Sequence, residues 1–334
     1  MDLITLDLAP IRAAFATSGA VVPVGARTHW EVGGPAPTGS EVRAPAGVVA
    51  HDPADLTVTV GAGTSVATLS RALAEHGQHC PLDPREPDAT IGGVLATGLS
   101  GLRRLRYGPV RDQVLEVRFA TAAGRVVKGG GPTVKNVTGY DLPRLLVGSF
   151  GTLGVLVQVT LRCWPSPRAA RWGASRAEPG TVRAALFRPS AVVFDGRQTT
   201  ALVEGEPVDV DAELRTAALV PAESPELPVG AHRGRISVPA GALPDLTREL
   251  GRLPGCRWLA EIGVGTVHVG TDDVDVFVAA RTAARAAGGW MLREAGGPPD
   301  DDGFGIDLPN LDLHRRLRAA FDPDGRCNPG RLPW

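Results

Sequence analysis

Apolar and polar residues alternate at a period of two along Leu56-Thr57-Val58-Thr59-Val60, the pattern of a half-buried strand. Val114 to Thr121 repeats it, Ala122-Ala123-Gly124-Arg125 has the composition of a hairpin turn, and Val126-Val127-Lys128 is the return strand. Ala20-Val21-Val22-Pro23-Val24 and Val155 to Leu161 add two apolar strands. Between strands the period lengthens. Val66, Leu69 and Leu73 share one helical face, with Thr64 expected as N-cap and Gly77 as the C′ glycine. Residues 7 to 20 predict a short helix. Asp272 to Ala287 predicts an acid-started helix with Val274, Phe277 and Arg281 on one face, and Asn310 to Phe321 predicts the last.

Between these elements small residues gather in clusters. Lys135 to Trp164 begins with a turn-rich head, Lys135-Asn136-Val137-Thr138-Gly139-Tyr140-Asp141, and continues through the apolar Leu142 to Val147. Gly148, Gly151 and Gly154 follow at a spacing of three, interleaved with Ser149 and Thr152. Glycine at that density lets backbone lie flat against a ligand and aim N–H groups at it, so the stretch reads as half of a cofactor cradle. Gly25-Ala26-Arg27-Thr28-His29-Trp30, at the end of a strand, is suited to converge main-chain N–H groups on a diphosphate; a plain glycine turn fits the same residues. Thr90 to Gly101 is the densest small-residue run, and Ile91, Val94, Leu95 and Leu99 within it argue against an exposed loop. It suggests backbone packed on something flat and buried, or a tight helix crossing.

Gly61-Ala62-Gly63-Thr64 lies between a strand and a helix, yet it is not a dinucleotide fingerprint, because Val66 stands where the third glycine belongs. Arg103, Arg104 and Arg106 are suited to phosphate, although an arginine cluster is more often a solvated or ion-paired face.

Composition narrows the classes. With 334 residues, 43% hydrophobic and 21% charged, the chain can bury a large core. Its 42 Gly and 29 Pro are dispersed among periodic segments, which signals turns instead of disorder. A net charge of −1 with both signs interspersed leaves no footprint for nucleic acid. Cys80, Cys163, Cys256 and Cys327 form no CxxC, so neither an iron–sulfur cluster nor a zinc knuckle is expected of this chain, and the four are read as buried thiols. No apolar run approaches the roughly 20 residues of a membrane span, and the acidic N-terminus does not suit a signal peptide. A cytoplasmic protein is expected.

The motifs taken in order are PVGARTHWEVGG, TVTVGAGTSVATLSRALAEHG, PLDP with ATIGGVLATGLSG, RYGPVRD, KNVTGYD, GSFGTLGV and FDPDGRCNPGR. That order resembles the FAD-linked oxidases of the vanillyl-alcohol oxidase/PCMH type, and within them the FAD-binding E-type subunits of bacterial glycolate oxidases. The resemblance covers residues 1 to 168 and the last twenty, while 169 to 300 agrees only in length and texture. It implies an α+β fold: a PCMH-type FAD-binding domain of two small α/β subdomains over 1–168, a C-terminal cap domain with an antiparallel sheet over 169–321, and a tail, 322–334, returning to the FAD domain. The boundary falls at Trp164-Pro165-Ser166-Pro167.

Carried over by position, Val24, Gly25, Ala26, Arg27, Thr28 and His29 would wrap the diphosphate. Thr90, Ile91, Gly92, Gly93, Ala96, Thr97 and Gly98 would lie along the ribityl chain and flavin. Gly154 and Val155 would meet the adenosine end, and Asn328 would approach the flavin ring. Some relatives tether the flavin through a first-loop histidine; here Thr28 occupies that place and His29 follows it, so noncovalent FAD is expected.

The catalytic side is thinner, since the histidine- and GDGN-containing segment of D-type relatives has no counterpart. Oxidising a 2-hydroxy acid needs a cation for the carboxylate and a base near the hydroxyl. His268, on a cap strand, and Tyr140 are the candidates, each with a structural alternative; His232 beside Arg233 and Arg235 is a lesser one. The resemblance therefore implies an FAD-binding subunit working with a catalytic D-type flavin subunit and an iron–sulfur subunit on a small 2-hydroxy acid. The complex would be cytoplasmic, or peripheral to the inner membrane through its partners. A self-sufficient FAD oxidase and a scaffold that has lost its flavin are the alternatives.

Overall fold

The computed structural model describes residues 7–131, 140–307 and 309–333; the head of the glycine-rich stretch, Lys135–Gly139, lies outside them. Three structural units meet around one seam.

The smallest holds the helix Ala9–Ala16 and two parallel strands, Val21–Pro23 and Ser40–Val42. Ile11, Phe15, Val21, Val42, Val155 and Val157 form its core together with Cys327 from the tail. Cys327 bridges Val21 in parallel, and the Asn328 N–H donates to the Val21 carbonyl at 2.9 Å. Arg326 donates to the carbonyls of Ala14, Phe15, Thr17 and Gly19, so a tail side chain satisfies the open end of the first helix.

The second unit is a five-stranded antiparallel sheet in the order Val48–Asp52, Thr57–Gly61, Val155–Arg162, Val114–Ala120, Val126–Gly130. Val58, Val60, Val117, Val159 and Leu161 bury one face beneath the helix Val66–Ala74 and the short helix Ile91–Thr97. Ser65, and not Thr64, caps the longer helix: its Oγ accepts from the Thr68 N–H at 3.1 Å. Thr64 instead braces the preceding turn, donating to the Gly61 carbonyl at 2.6 Å and accepting from the Gly47 N–H at 2.8 Å. A hydroxyl next to a glycine turn has both uses open to it, and only the chain path selects one. Helix Ile91–Thr97 starts at Thr90, whose Oγ1 accepts from the Gly93 N–H at 3.2 Å, and ends in left-handed Gly98.

Ala169 begins the third unit, an eight-stranded antiparallel sheet in the order Val220–Pro221, Ala169–Ser175, Thr199–Gly205, Ala191–Phe194, Arg257–Glu261, Thr266–Thr271, His232–Ser237, Trp290–Ala295. Helices Leu243–Leu250 and Val274–Ala286 cover one face through Ile236, Val267, Val269 and Phe277. Because side chains alternate across a strand, His268, Arg233 and Arg235 emerge on the other face, toward the first two units.

That seam is polar. Arg103 forks onto Asp83 at 2.7 and 2.5 Å and reaches Glu204 of the eight-stranded sheet at 3.5 Å. Glu204 also accepts from Tyr107 at 3.0 Å and Ser190 at 2.5 Å. Of the arginine cluster, Arg103 is ion-paired across the seam and Arg106 donates to the Glu204 carbonyl at 2.6 Å. Of the four thiols, Cys80, Cys163 and Cys327 are buried but Cys256 is half-exposed, a departure from the four buried thiols expected. Burial raises the Cys163 and Cys327 thiols to about 12 and Cys256 to about 11, so none is a thiolate near neutrality.

Candidate functional site

One cleft draws together the small-residue segments. The first strand leads into Val24–Trp30, which faces the start of helix Ile91–Thr97 so closely that a Cβ on Gly25 would lie 2.2 Å from Thr90 Oγ1. The Gly92 N–H donates to the Ala62 carbonyl at 2.7 Å, and a Cβ on Gly92 would come to 3.0 Å from that oxygen. The run at Thr90–Gly101 therefore holds both a tight helix contact, against Ala62, and an open surface, on Gly93, Ala96 and Thr97. Across from it stand Ser149, Phe150, Gly151, Gly154 and Val155, and the tail closes the end with Asn328 and Arg331.

The space inside is about 920 Å³ including its mouth, within the range of small-molecule sites. Among the described residues no carboxylate lines it. Arg27, Phe150 and Asn328, all lining it, have φ of 61°, 54° and 41°, a left-handed backbone that costs a non-glycine residue about 1 kcal/mol or more. Such strain concentrates where backbone is shaped for a ligand. Asn328 donates from Nδ2 to the Phe150 carbonyl at 2.6 Å, while its buried Oδ1 has no partner.

Val24–His29, Thr90, Gly92, Gly93, Ala96, Thr97, Gly154, Val155 and Asn328 all line this cleft. Ile91 does not; its side chain is in the core beneath the helix, and Gly98 lies past the cleft at the helix end. Ala62 and Gly63, from the turn that fails the dinucleotide pattern, do line it. Arg331 was not legible. It is buried, donates to the carbonyls of Trp30 and Gly34 at 2.9 Å, and is lowered to about 10 by burial and then by Arg293. Arg293, from the eight-stranded sheet, donates to the Gly33 carbonyl at 2.5 Å, so two arginines hold the first loop by its oxygens. No local pattern links 293 and 331 to 33.

Thr28 and His29 are shared with a second cleft, of about 1170 Å³, between the five-stranded and eight-stranded sheets. Its walls carry charge. Asp83, in a left-handed conformation, is committed to Arg103. Glu294 accepts from Arg235 at 2.9 Å and has Arg85 at 3.8 Å. Burial alone would raise the Glu294 carboxyl; Arg235, with His268 and Arg85 beyond, outweighs it and holds the group below its ordinary value. Arg235 also donates to the Ser100 carbonyl at 2.6 Å. His29 is lowered chiefly by burial, opposed by Glu294 and reinforced by Arg235.

His268 lines this second cleft, with 1% of its surface exposed and Nε2 at 2.9 Å from Glu261 Oε1. Tyr140 is elsewhere: it is 92% exposed, so neither the flavin-facing nor the core reading describes it. An aromatic beside a glycine and an acid carries no local mark of which way it faces. His232 uses Nδ1 to accept from the Gly297 N–H at 2.8 Å and lines neither cleft. Among the described residues no group of three or more His, Cys, Asp or Glu is arranged to hold a metal, and no helix is long and apolar enough to cross a membrane.

Residues 9–130 match the FAD binding domain family. The chain is 34% identical over 316 residues to glycolate oxidase subunit GlcE of Escherichia coli (strain K12), covering 87% of this chain and 86% of that protein. It is 44% identical over 108 residues to D-lactate dehydrogenase of Archaeoglobus fulgidus, covering 32% of this chain but only 24% of that one. Among solved structures, alkyldihydroxyacetonephosphate synthase superposes with a TM-score of 0.69 over 96% of this chain and 73% of its own, at 14% identity, a likeness of fold.

Proposed function

The chain belongs to the FAD-binding oxidoreductase family of glycolate oxidase E-type subunits, and from that premise we propose that it is the FAD-holding subunit of a 2-hydroxy-acid oxidase complex. The observation that carries the reading is the first cleft. Seven separated segments converge on a space that glycines keep open, and among the described residues no carboxylate faces it. The residues fit FAD: the strained backbone and the unpartnered Asn328 Oδ1 are features a bound polar ring system would use.

Val24–His29 would wrap the diphosphate, Gly92, Gly93, Ala96 and Thr97 would lie along the ribityl chain and flavin, Gly154 and Val155 would meet the adenosine end, and Asn328 would serve the ring. The flavin supplies acceptance of an electron pair from substrate and its release in single steps. Arg293 and Arg331 hold the loop in its binding shape. Attachment is noncovalent, in keeping with Thr28 at the place of the tethering residue.

Partners follow from the resemblance: a D-type flavin subunit and a separate iron–sulfur subunit, needed because this chain's thiols are dispersed and protonated. The complex is cytoplasmic or peripheral to a membrane through those partners. A self-sufficient oxidase is the second reading, favoured by one observation, the charged cleft adjoining the first at His29.

Purified protein should be yellow, and acid precipitation should release its flavin into the supernatant. Colourless protein that FAD cannot reconstitute would leave only the scaffold reading. Bleaching by glycolate in the isolated chain favours the self-sufficient oxidase, and bleaching only with partners present favours the subunit.

A further inference from the structure

We propose that residues 296–307, a loop of the eight-stranded unit, shape the first cleft for its cofactor, with Asp301 and Arg281 as the positioning pair. Among the described residues none of this loop lines that cleft. The proposal rests on the FAD reading above and adds to it a control exerted from the third unit.

Arg281 shares the buried face of helix Val274–Ala286 with Phe277 and Ala284. A charge in that position needs a partner. Asp301 provides it, accepting from both ends of the guanidinium at 2.8 and 2.9 Å with only 2% of its own side chain exposed. Burial alone would raise the Asp301 carboxyl; Arg281 and the Gly303 N–H, which donates to it at 2.9 Å, outweigh burial and hold it below its ordinary value. Gly305, at φ 63°, passes so near that a Cβ on it would lie 2.4 Å from Arg281 Cδ. The ion pair therefore fixes the turn that follows Asp301.

That turn bears on the supports of the first cleft. The Gly303 carbonyl accepts from the Arg293 N–H at 2.7 Å, and the Arg293 carbonyl accepts from the Gly33 N–H at 3.0 Å. A Cβ on Gly303 would lie 2.1 Å from the Gly33 carbonyl carbon. At the start of the loop, the Gly296 N–H donates to Glu31 at 3.0 Å. Phe304 stacks on Trp290 and meets Phe150 edge-on, each at 5.9 Å between centroids. Phe150 lines the first cleft in a left-handed conformation, and a Cβ on Gly33 would come to 2.7 Å from its ring. Such a conformation persists only where its surroundings fix it, and Phe304 is part of them. Contacts this close leave no slack, so a displacement at Asp301 is passed to Gly33 and Phe150.

Hydrogen exchange of the full chain with and without FAD, combined with FAD titration of variants, tests this. FAD should slow amide exchange in residues 296–307, because coupling between two sites is reciprocal. Asp301→Asn keeps an acceptor for Gly303 and loses the charge. It should raise the FAD dissociation constant about tenfold, an ordinary coupling between separate sites, and abolish the slowed exchange; Arg281→Lys should fall between it and wild type. Phe304→Leu retains the ion pair and should weaken FAD about threefold, the size of one aromatic contact. Should Asp301→Asn not fold, unaltered FAD affinity in Phe304→Leu still overturns the proposal. Val267→Ala, in the core of the same unit, is the control: it should lower the melting temperature and leave FAD affinity unchanged. Equal loss of FAD in Val267→Ala and Asp301→Asn, or exchange in 296–307 that ignores FAD, overturns the proposal and leaves the FAD reading standing. Wild type that takes up no FAD overturns that reading and this proposal with it.

Discussion

The two clefts meet at Thr28 and His29 and are made of different material. The first is lined largely by glycine, alanine and other small residues, and among the described residues no acid faces it. The second is lined by arginines, acids and a histidine, and its walls draw on residues from 28 to 294. A diphosphate and a flat ring need many N–H groups at close range, which only small residues permit, and adjacent residues can supply them. A small acid needs a few charged groups at fixed distances, and any element that reaches the site can supply those.

Filling the first cleft is the strongest way to separate the two. Gly93 lies inside a helix, where leucine is intrinsically favoured, and a Cβ there meets Thr90 Oγ1 at 3.1 Å and His29 Nδ1 at 4.0 Å. Gly93→Leu should lower FAD affinity on the order of a hundredfold, the upper range of overpacking costs, with the melting curve little changed. Retained flavin would move the cofactor elsewhere.

Glu204→Ala attacks the seam behind the second cleft. It leaves the buried Tyr107 and Ser190 hydroxyls without their acceptor and removes one partner of Arg103. Denaturant unfolding should show a loss of about 2–4 kcal/mol, with FAD affinity in the first cleft less affected than by Gly93→Leu.

Acid should also act at the seam. His79 is lowered to about 4 by burial first and by Arg103 next, and its Nδ1 is the acceptor for Arg103 at 3.2 Å. The folded state holds this imidazole neutral to about pH 4, whereas the unfolded chain takes up its proton near 6.5. The contribution is therefore intact above pH 6.5 and declines as pH falls toward 4. Allowing for partial solvent screening, wild type should lose about 1–2 kcal/mol more over that window than His79→Asn, read from urea midpoints at each pH.

The smallest effect distinguishes shape from a single hydrogen bond within the first cleft. Thr90→Ala removes the helix cap and one cleft-lining hydroxyl, and should cost about 1 kcal/mol of stability. FAD affinity should shift far less than with Gly93→Leu; an equal loss would mean that the cap, and not the open glycine surface, holds the cofactor.

Strand alternation at Leu56–Val60 and Val114–Lys128, the helix at Val66–Leu73 and the last two helices were all legible, because their periodicity records a buried face directly. So was the family, through glycine motifs whose order survives although each is short. Thr64 misled because hydroxyls serve turns and caps alike, and Tyr140 because exposure leaves no trace in its neighbours. The carboxylate-free cleft was half legible: its glycine segments were visible, but Arg331 was not.

By itself, then, the sequence determined the elements, the small-residue segments and the family, since each depends on residues close together in the chain. The tertiary structure alone decided that Arg293 and Arg331 hold the first loop. It alone decided that Glu261 meets His268 in a buried contact on the eight-stranded sheet. Those contacts join strands and loops far apart in sequence, and charge pairing is settled by which groups the fold brings within a few ångströms.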